Sequence, residues 1–246
     1  MKKVFELLSI DCGSGLYLQA AKNLTLEILG QTAHDIILST NKPNYFTDIA
    51  NDRLTVRNNI PEGITLQYIN EFNYNLKHYA FEDIPEKYEL IVYLDCDIKL
   101  KGWTAKSDIY LDQLMNDKEY GATRLNCVLG ESIDEYIKRG TTLFRHKIDS
   151  YKIREEYSRT DDIMMSRLPS EHFLILKNIP NKIRKFQQRW LEQDTYLQSI
   201  KGSGGSWGDG FEIGISARYA GLNDYVEIEQ GLSITILGFH FNGNKL

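Results

Sequence analysis

Glu89-Leu90-Ile91-Val92-Tyr93-Leu94-Asp95-Cys96-Asp97-Ile98-Lys99-Leu100 reads as a short apolar strand that ends in two carboxylates. Five successive apolar residues rich in β-formers suit a strand covered on both faces of a sheet. Two unpaired carboxylates at its tip would repel each other and resist desolvation. A divalent cation relieves both problems, and hard carboxylate oxygens suit magnesium, manganese or calcium. The carboxyl end of a strand is also where open α/β sheets bind their ligands. Asp95-Cys96-Asp97 is the single Asp-x-Asp triplet of the chain. The triplet alone is a weak motif, and its place at the end of this strand gives it weight. The alternative is a strand-end turn whose aspartates cap nearby amides.

Outward from this stretch, strands and helices alternate. Residues 4–10 read as a first strand, broken by Asp11-Cys12-Gly13-Ser14-Gly15. Residues 17–29 carry apolar side chains at helical spacing, with Gly30 as the stop. Residues 35–40 form a second strand, residues 64–69 a third, and residues 75–81 a helical turn before the Asp95 strand. Such alternation predicts a mostly parallel sheet flanked by helices, with a Rossmann-like nucleotide-binding half over residues 1–100. The Asp11–Gly15 loop is not G-x-G-x-x-G. It is either a tight turn or a set of backbone amides that meet a nucleotide.

Residues 101–246 are less regular and read as an acceptor-binding half of the same single domain. A helix is expected near residues 111–115, strands at 121–129 and 172–176, and a helix over 183–200. Residues 139–167 mix charges with little periodicity and read as a solvated helical face or an acceptor-facing excursion. Residues 202–210 hold five glycines with Trp207 and Asp209, the pattern of a lid over a site or of a linker. A helix over 211–220 follows. Asp209 and Glu212, three apart at its start, can share a face; capping is the alternative for Asp209. A last strand over 232–237 leads to His240.

The net charge of −5 argues against a nucleic-acid or anionic-membrane binder. Cys12, Cys96 and Cys127 have neither metal-ligand spacing nor an even framework, which fits a reducing compartment. With no transmembrane-length apolar run and no signal-peptide pattern at the start, a cytoplasmic location is expected.

An α/β half, a strand ending in Asp-x-Asp, a glycine- and acid-bearing loop before a helix, and a late histidine together resemble glycosyltransferases of the GT-A fold. The resemblance covers most of the chain in order. It implies that Asp95 and Asp97 hold manganese or magnesium against the diphosphate of a nucleoside-diphosphate sugar, the donor substrate, with Asp95 also near the ribose. His240-Phe241-Asn242-Gly243-Asn244-Lys245 is similar to the His-x-x-Gly-x-x-Lys-Pro-Trp ending of the glycogenin and lipopolysaccharide-galactosyltransferase group, one residue short and without the Pro-Trp. That match implies His240 as a third metal ligand, and Gly243 and Lys245 at the diphosphate. Lys77 stands where that group has a donor-binding lysine, and Asp11 and Tyr17 resemble its nucleotide-contacting positions. Trp207-Gly208-Asp209 is similar to the Trp-Gly-Gly-Glu-Asp segment of inverting β-galactosyltransferases. There Trp207 would stack on sugar, and Asp209 or Glu212 would position the acceptor hydroxyl or act as base.

The expectation is therefore a metal-dependent hexosyltransferase acting on a glycan or other hydroxyl acceptor. The histidine ending favours retention of configuration. The rivals are a nucleotidyltransferase that makes nucleotide-sugars and a sugar-nucleotide-binding module without catalysis. A nucleotidyltransferase would usually carry arginine and lysine in its first loop, and residues 11–17 have neither.

Overall fold

Lys3–Ser9 (β1) alternates its side chains between two buried layers, so the strand must lie in the middle of a sheet. The structure, a computed structural model, describes residues 1–11, 13–63, 75–123, 172–201, 209–228 and 239–241. β1 is followed by α1 (Leu16–Gln31), β2 (Asp35–Thr40), β3 (Leu54–Arg57), a 3₁₀ helix (Asn75–Phe81), β4 (Leu90–Leu94) and β5 (Ile98–Leu100). Then come α2 (Ala105–Leu114), β6 (Tyr120–Thr123), β7 (Phe173–Lys177), α3 (Pro180–Lys201), α4 (Asp209–Tyr219), β8 (Tyr225–Ile228) and β9 (Phe239–Phe241).

The main sheet has the order β3-β2-β1-β4-β7-β6-β8. The pairs β1–β2, β1–β4, β2–β3 and β6–β8 are parallel; β7 runs antiparallel to both β4 and β6. This is an α/β fold with a mostly parallel, mixed seven-stranded sheet flanked by helices. Strands from both halves of the sequence share that sheet.

Alternation sorts the core into two layers. Phe5, Leu7, Ile36, Leu38, Val92 and Ile175 pack against Leu18, Ala21, Leu24 and Ile28 of α1. Val4, Ile37, Ile91, Tyr93 and Leu174 pack against Phe186 and Trp190 of α3 and Ile213 of α4. Each such large apolar side chain contributes about 1.5–3 kcal/mol of burial. Gly121 lets β6 and β8 close up: a Cβ there would sit 2.8 Å from Val226 Cγ1 and 2.9 Å from its carbonyl oxygen.

Several local expectations change. The third strand of the sheet is Leu54–Arg57, held by Ile36–Ser39 in parallel register; the strand expected at 64–69 lies outside the described residues. Gly30 does not stop α1, which continues to Gln31 with Thr32 N donating to Ile28 O. The helix expected near 111–115 begins earlier, at Ala105, because Thr104 and Ser107 form a capping box. His240 lies within a strand, β9, rather than after one, and the expected strand at 232–237 is outside the described residues. So are all of 139–167 and all of 202–208. No helix among the described residues is long and apolar enough to cross a membrane.

Glu6 interrupts the second core layer. It is fully buried in β1, and neither carboxylate oxygen has a hydrogen-bond partner among the described residues. Burial pushes its carboxyl well above the ordinary range, with the Arg57 charge pulling back only partly. The folded chain therefore holds this proton more tightly than the unfolded chain. The linked stability is full below the ordinary pKa and is lost as pH rises toward the folded value. Glu6→Gln is expected to flatten that fall and to gain about 1–3 kcal/mol at pH 8. Denaturant unfolding at pH 5 and pH 8 checks this; parallel pH profiles for both proteins would refute it.

Candidate metal centre at the carboxyl edge of the sheet

β1, β2 and β4 all end at one edge, and β7, being reversed, begins there. The chain builds β2 and β3 on one side of β1 and then places β4 on the other, so the β1/β4 boundary is a topological switch point. Two loops meet at this boundary. The loop after β1 carries Asp11, and the turn after β4 carries Asp95 and Asp97.

The turn is closed by Ile98 N donating to Asp95 O at 3.1 Å, which sends the chain from β4 into β5. Cys96 points the other way and donates its thiol to Leu8 O. Burial and then the two flanking aspartates push that thiol upward, so Cys96 is an inert structural residue. Tyr93 and Asp95, two apart on β4, share a face, and the Tyr93 hydroxyl donates to Asp95 Oδ1 at 2.7 Å. Lys77, from the 3₁₀ helix, donates from Nζ to Asp95 Oδ2 at 2.9 Å. His172 Nδ1 lies 3.0 Å from the same oxygen.

His172 arrives by sheet register. Leu94 pairs with Phe173, and Asp95 N donates to His172 O, so His172 is the cross-strand neighbour of Asp95. Asp95, Asp97 and His172 each offer a ligand atom within 4.8 Å of the others. Asp97 Oδ1 is buried with no hydrogen-bond partner among the described residues.

The two carboxylates sit in opposite electrostatic states. Burial alone would raise Asp95, but the Lys77 charge and His172 outweigh it and hold the carboxyl well below its usual range. Asp97 is pushed upward by burial and then by the Asp95 charge. The donor set of two carboxylates and one imidazole fits a manganese- or magnesium-class cation, and the orphaned Asp97 oxygen is the group such an ion would satisfy.

The other expected site residues are placed as follows. The Asp11 carboxylate accepts from Gly13 N at 2.9 Å and Gly15 N at 3.2 Å. Gly13 and Gly15 both have positive φ, so the loop folds around its own aspartate. Those two amides are thus engaged within the chain. Asn41, at the end of β2, exchanges hydrogen bonds with the Asp11 backbone and ties the two strand ends together. Tyr17 is half-buried in the first turn of α1, its carbonyl bonded by Ser9 Oγ.

Glu212 is fully buried on α4 and accepts from the Trp190 indole at 3.0 Å, which ties α4 to α3. Asp209 is the first residue of α4, described by its backbone alone. β9 pairs antiparallel with β5, and His240 stands opposite Lys99, two residues beyond Asp97. The chain path thus returns His240 to the Asp-x-Asp turn. Trp207, Gly243 and Lys245 lie outside the described residues.

His172 was missed as a site residue. Its sole sequence signal is a histidine opening an apolar strand, and that pattern does not say at which sheet edge the strand starts. No protein-family model matches the chain, and no curated protein is similar to it.

Proposed function

We propose that this protein is a metal-dependent glycosyltransferase of the GT-A fold, which moves a sugar from a nucleoside-diphosphate sugar to an acceptor hydroxyl. The observation that carries the reading is the meeting of Asp95, Asp97 and His172 at the carboxyl edge of β4, beside the β1/β4 switch point. Asp95, Asp97 and His172 would hold manganese or magnesium, with His240 brought near by β9. A cation bound there would act as a Lewis acid that neutralises charge on the leaving diphosphate.

The protein's own groups do the rest. Tyr93 fixes the Asp95 carboxylate in one orientation. The Lys77 ammonium adds positive charge where the diphosphate would lie. The Asp11 loop, ordered by its own hydrogen bonds, forms the wall on which the nucleoside would rest. Asp209 would position the acceptor hydroxyl, and Trp207 would stack on a sugar face. Glu212, bonded to Trp190, keeps α4 in place beneath Asp209.

The test is release of nucleoside diphosphate from a panel of nucleoside-diphosphate sugars with manganese, without acceptor. Slow release with one donor, abolished by EDTA, is the expected result. Pyrophosphate release from a nucleoside triphosphate and a sugar phosphate would identify a nucleotidyltransferase instead. Binding without turnover would identify a non-catalytic module.

A further inference from the structure

The two carboxylates of the Asp-x-Asp turn are unequally furnished. Asp95 has Tyr93 on Oδ1, and Lys77 and His172 together on Oδ2. Asp97, two residues on, has a buried Oδ1 with no partner among the described residues. A cation held by both carboxylates and His172 must come to the place where the Lys77 ammonium now meets Asp95. Two positive centres on one carboxylate oxygen repel strongly in a partly buried site. Lys77 and Asp95 are each 14% exposed at the side chain, so solvent screens the pair little. A lysine is the residue that can yield: its ammonium is a point charge on a flexible four-carbon stem.

The geometry points to Lys77 as the resident counter-cation of Asp95, which a divalent cation displaces on binding. The displaced ammonium is then presented to the anionic donor only after the cation has arrived. Binding is thereby ordered, cation before donor. The cation affinity of the free protein is set partly by the competition with Lys77. This inference rests on the reading of Asp95, Asp97 and His172 as a cation site.

Manganese binding without nucleotide, followed by the electron paramagnetic resonance signal of the free ion, tests it in the full chain. Lys77→Met is expected to bind manganese at least 10-fold more tightly than the wild type, and Lys77→Arg, which keeps the charge, no more tightly than the wild type. Equal or weaker binding by Lys77→Met overturns this inference and leaves the cation site standing. No binding by either protein overturns both. Wild-type protein gives a second measurement that does not depend on the variant folding. Acetylation of Lys77 by a limiting amine reagent, read by mass spectrometry, is expected to rise at least threefold on saturation with magnesium. Unchanged or reduced labelling at saturating magnesium overturns the displacement.

Discussion

Asp97→Ala is expected to lower transfer on the order of 10³-fold or more while leaving a protein at least as stable as the wild type. The two halves of this expectation have one cause. Asp97 is pushed upward by burial and then by the neighbouring Asp95 charge, so its ionised form opposes folding near neutral pH. A carboxyl raised in the folded state contributes stability below its ordinary pKa and loses it as pH rises through the folded value. Alanine removes that penalty at pH 7.5. It also removes the one carboxylate of the pair with an unsatisfied buried oxygen, the atom best placed to take a cation. Donor hydrolysis and thermal melting in EDTA read the two effects separately. Full activity of Asp97→Ala, or wild-type activity that survives EDTA, would remove the metal from the proposed mechanism. A lost fold would show instead that Asp97 holds the turn together.

His172→Ala is expected to weaken manganese binding about 10- to 100-fold and to lower the ratio of manganese- to magnesium-supported activity. The imidazole is the softest donor of the cluster, so its loss should penalise manganese more than magnesium. His172→Asn separates this role from the hydrogen bond to Asp95. An asparagine amide can still donate to that carboxylate, but it is a poor substitute for a ring nitrogen on a metal. If His172→Asn binds manganese as the wild type does, His172 serves to hold Asp95 and is not a ligand. His240→Ala is the paired experiment. Its backbone lies opposite Lys99, beside the same turn. A larger loss for His240→Ala than for His172→Ala would return the third position to the late histidine.

Both experiments turn on residues that were unequally legible. The apolar run 90–94 announced a central strand, and a strand buried on both faces must have neighbours on both sides. That much follows from composition and period alone. The alternation of strands with helices likewise gave the α/β class, and the Asp95-Cys96-Asp97 triplet gave the candidate cation site. Short or weakly patterned elements were not legible. Leu54–Arg57 is a half-exposed edge strand of four residues, made a strand by pairing with β2 rather than by its own propensity. Tyr225–Ile228 is the same case at the opposite edge of the sheet.

Pairing partners across long separations also lay beyond local pattern. Lys77 reaches Asp95 because the 3₁₀ helix packs on the sheet face that carries Tyr93, which no spacing in the sequence records. Glu6 looks like an ordinary strand residue until its neighbours bury it. Direction was the decisive unknown. A strand pattern is nearly the same read in either direction, so residues 173–177 alone do not say whether β7 runs with β4 or against it. Run parallel, it would have placed His172 at the far edge of the sheet. Run antiparallel, it places His172 against Asp95, and the tertiary structure alone makes that choice.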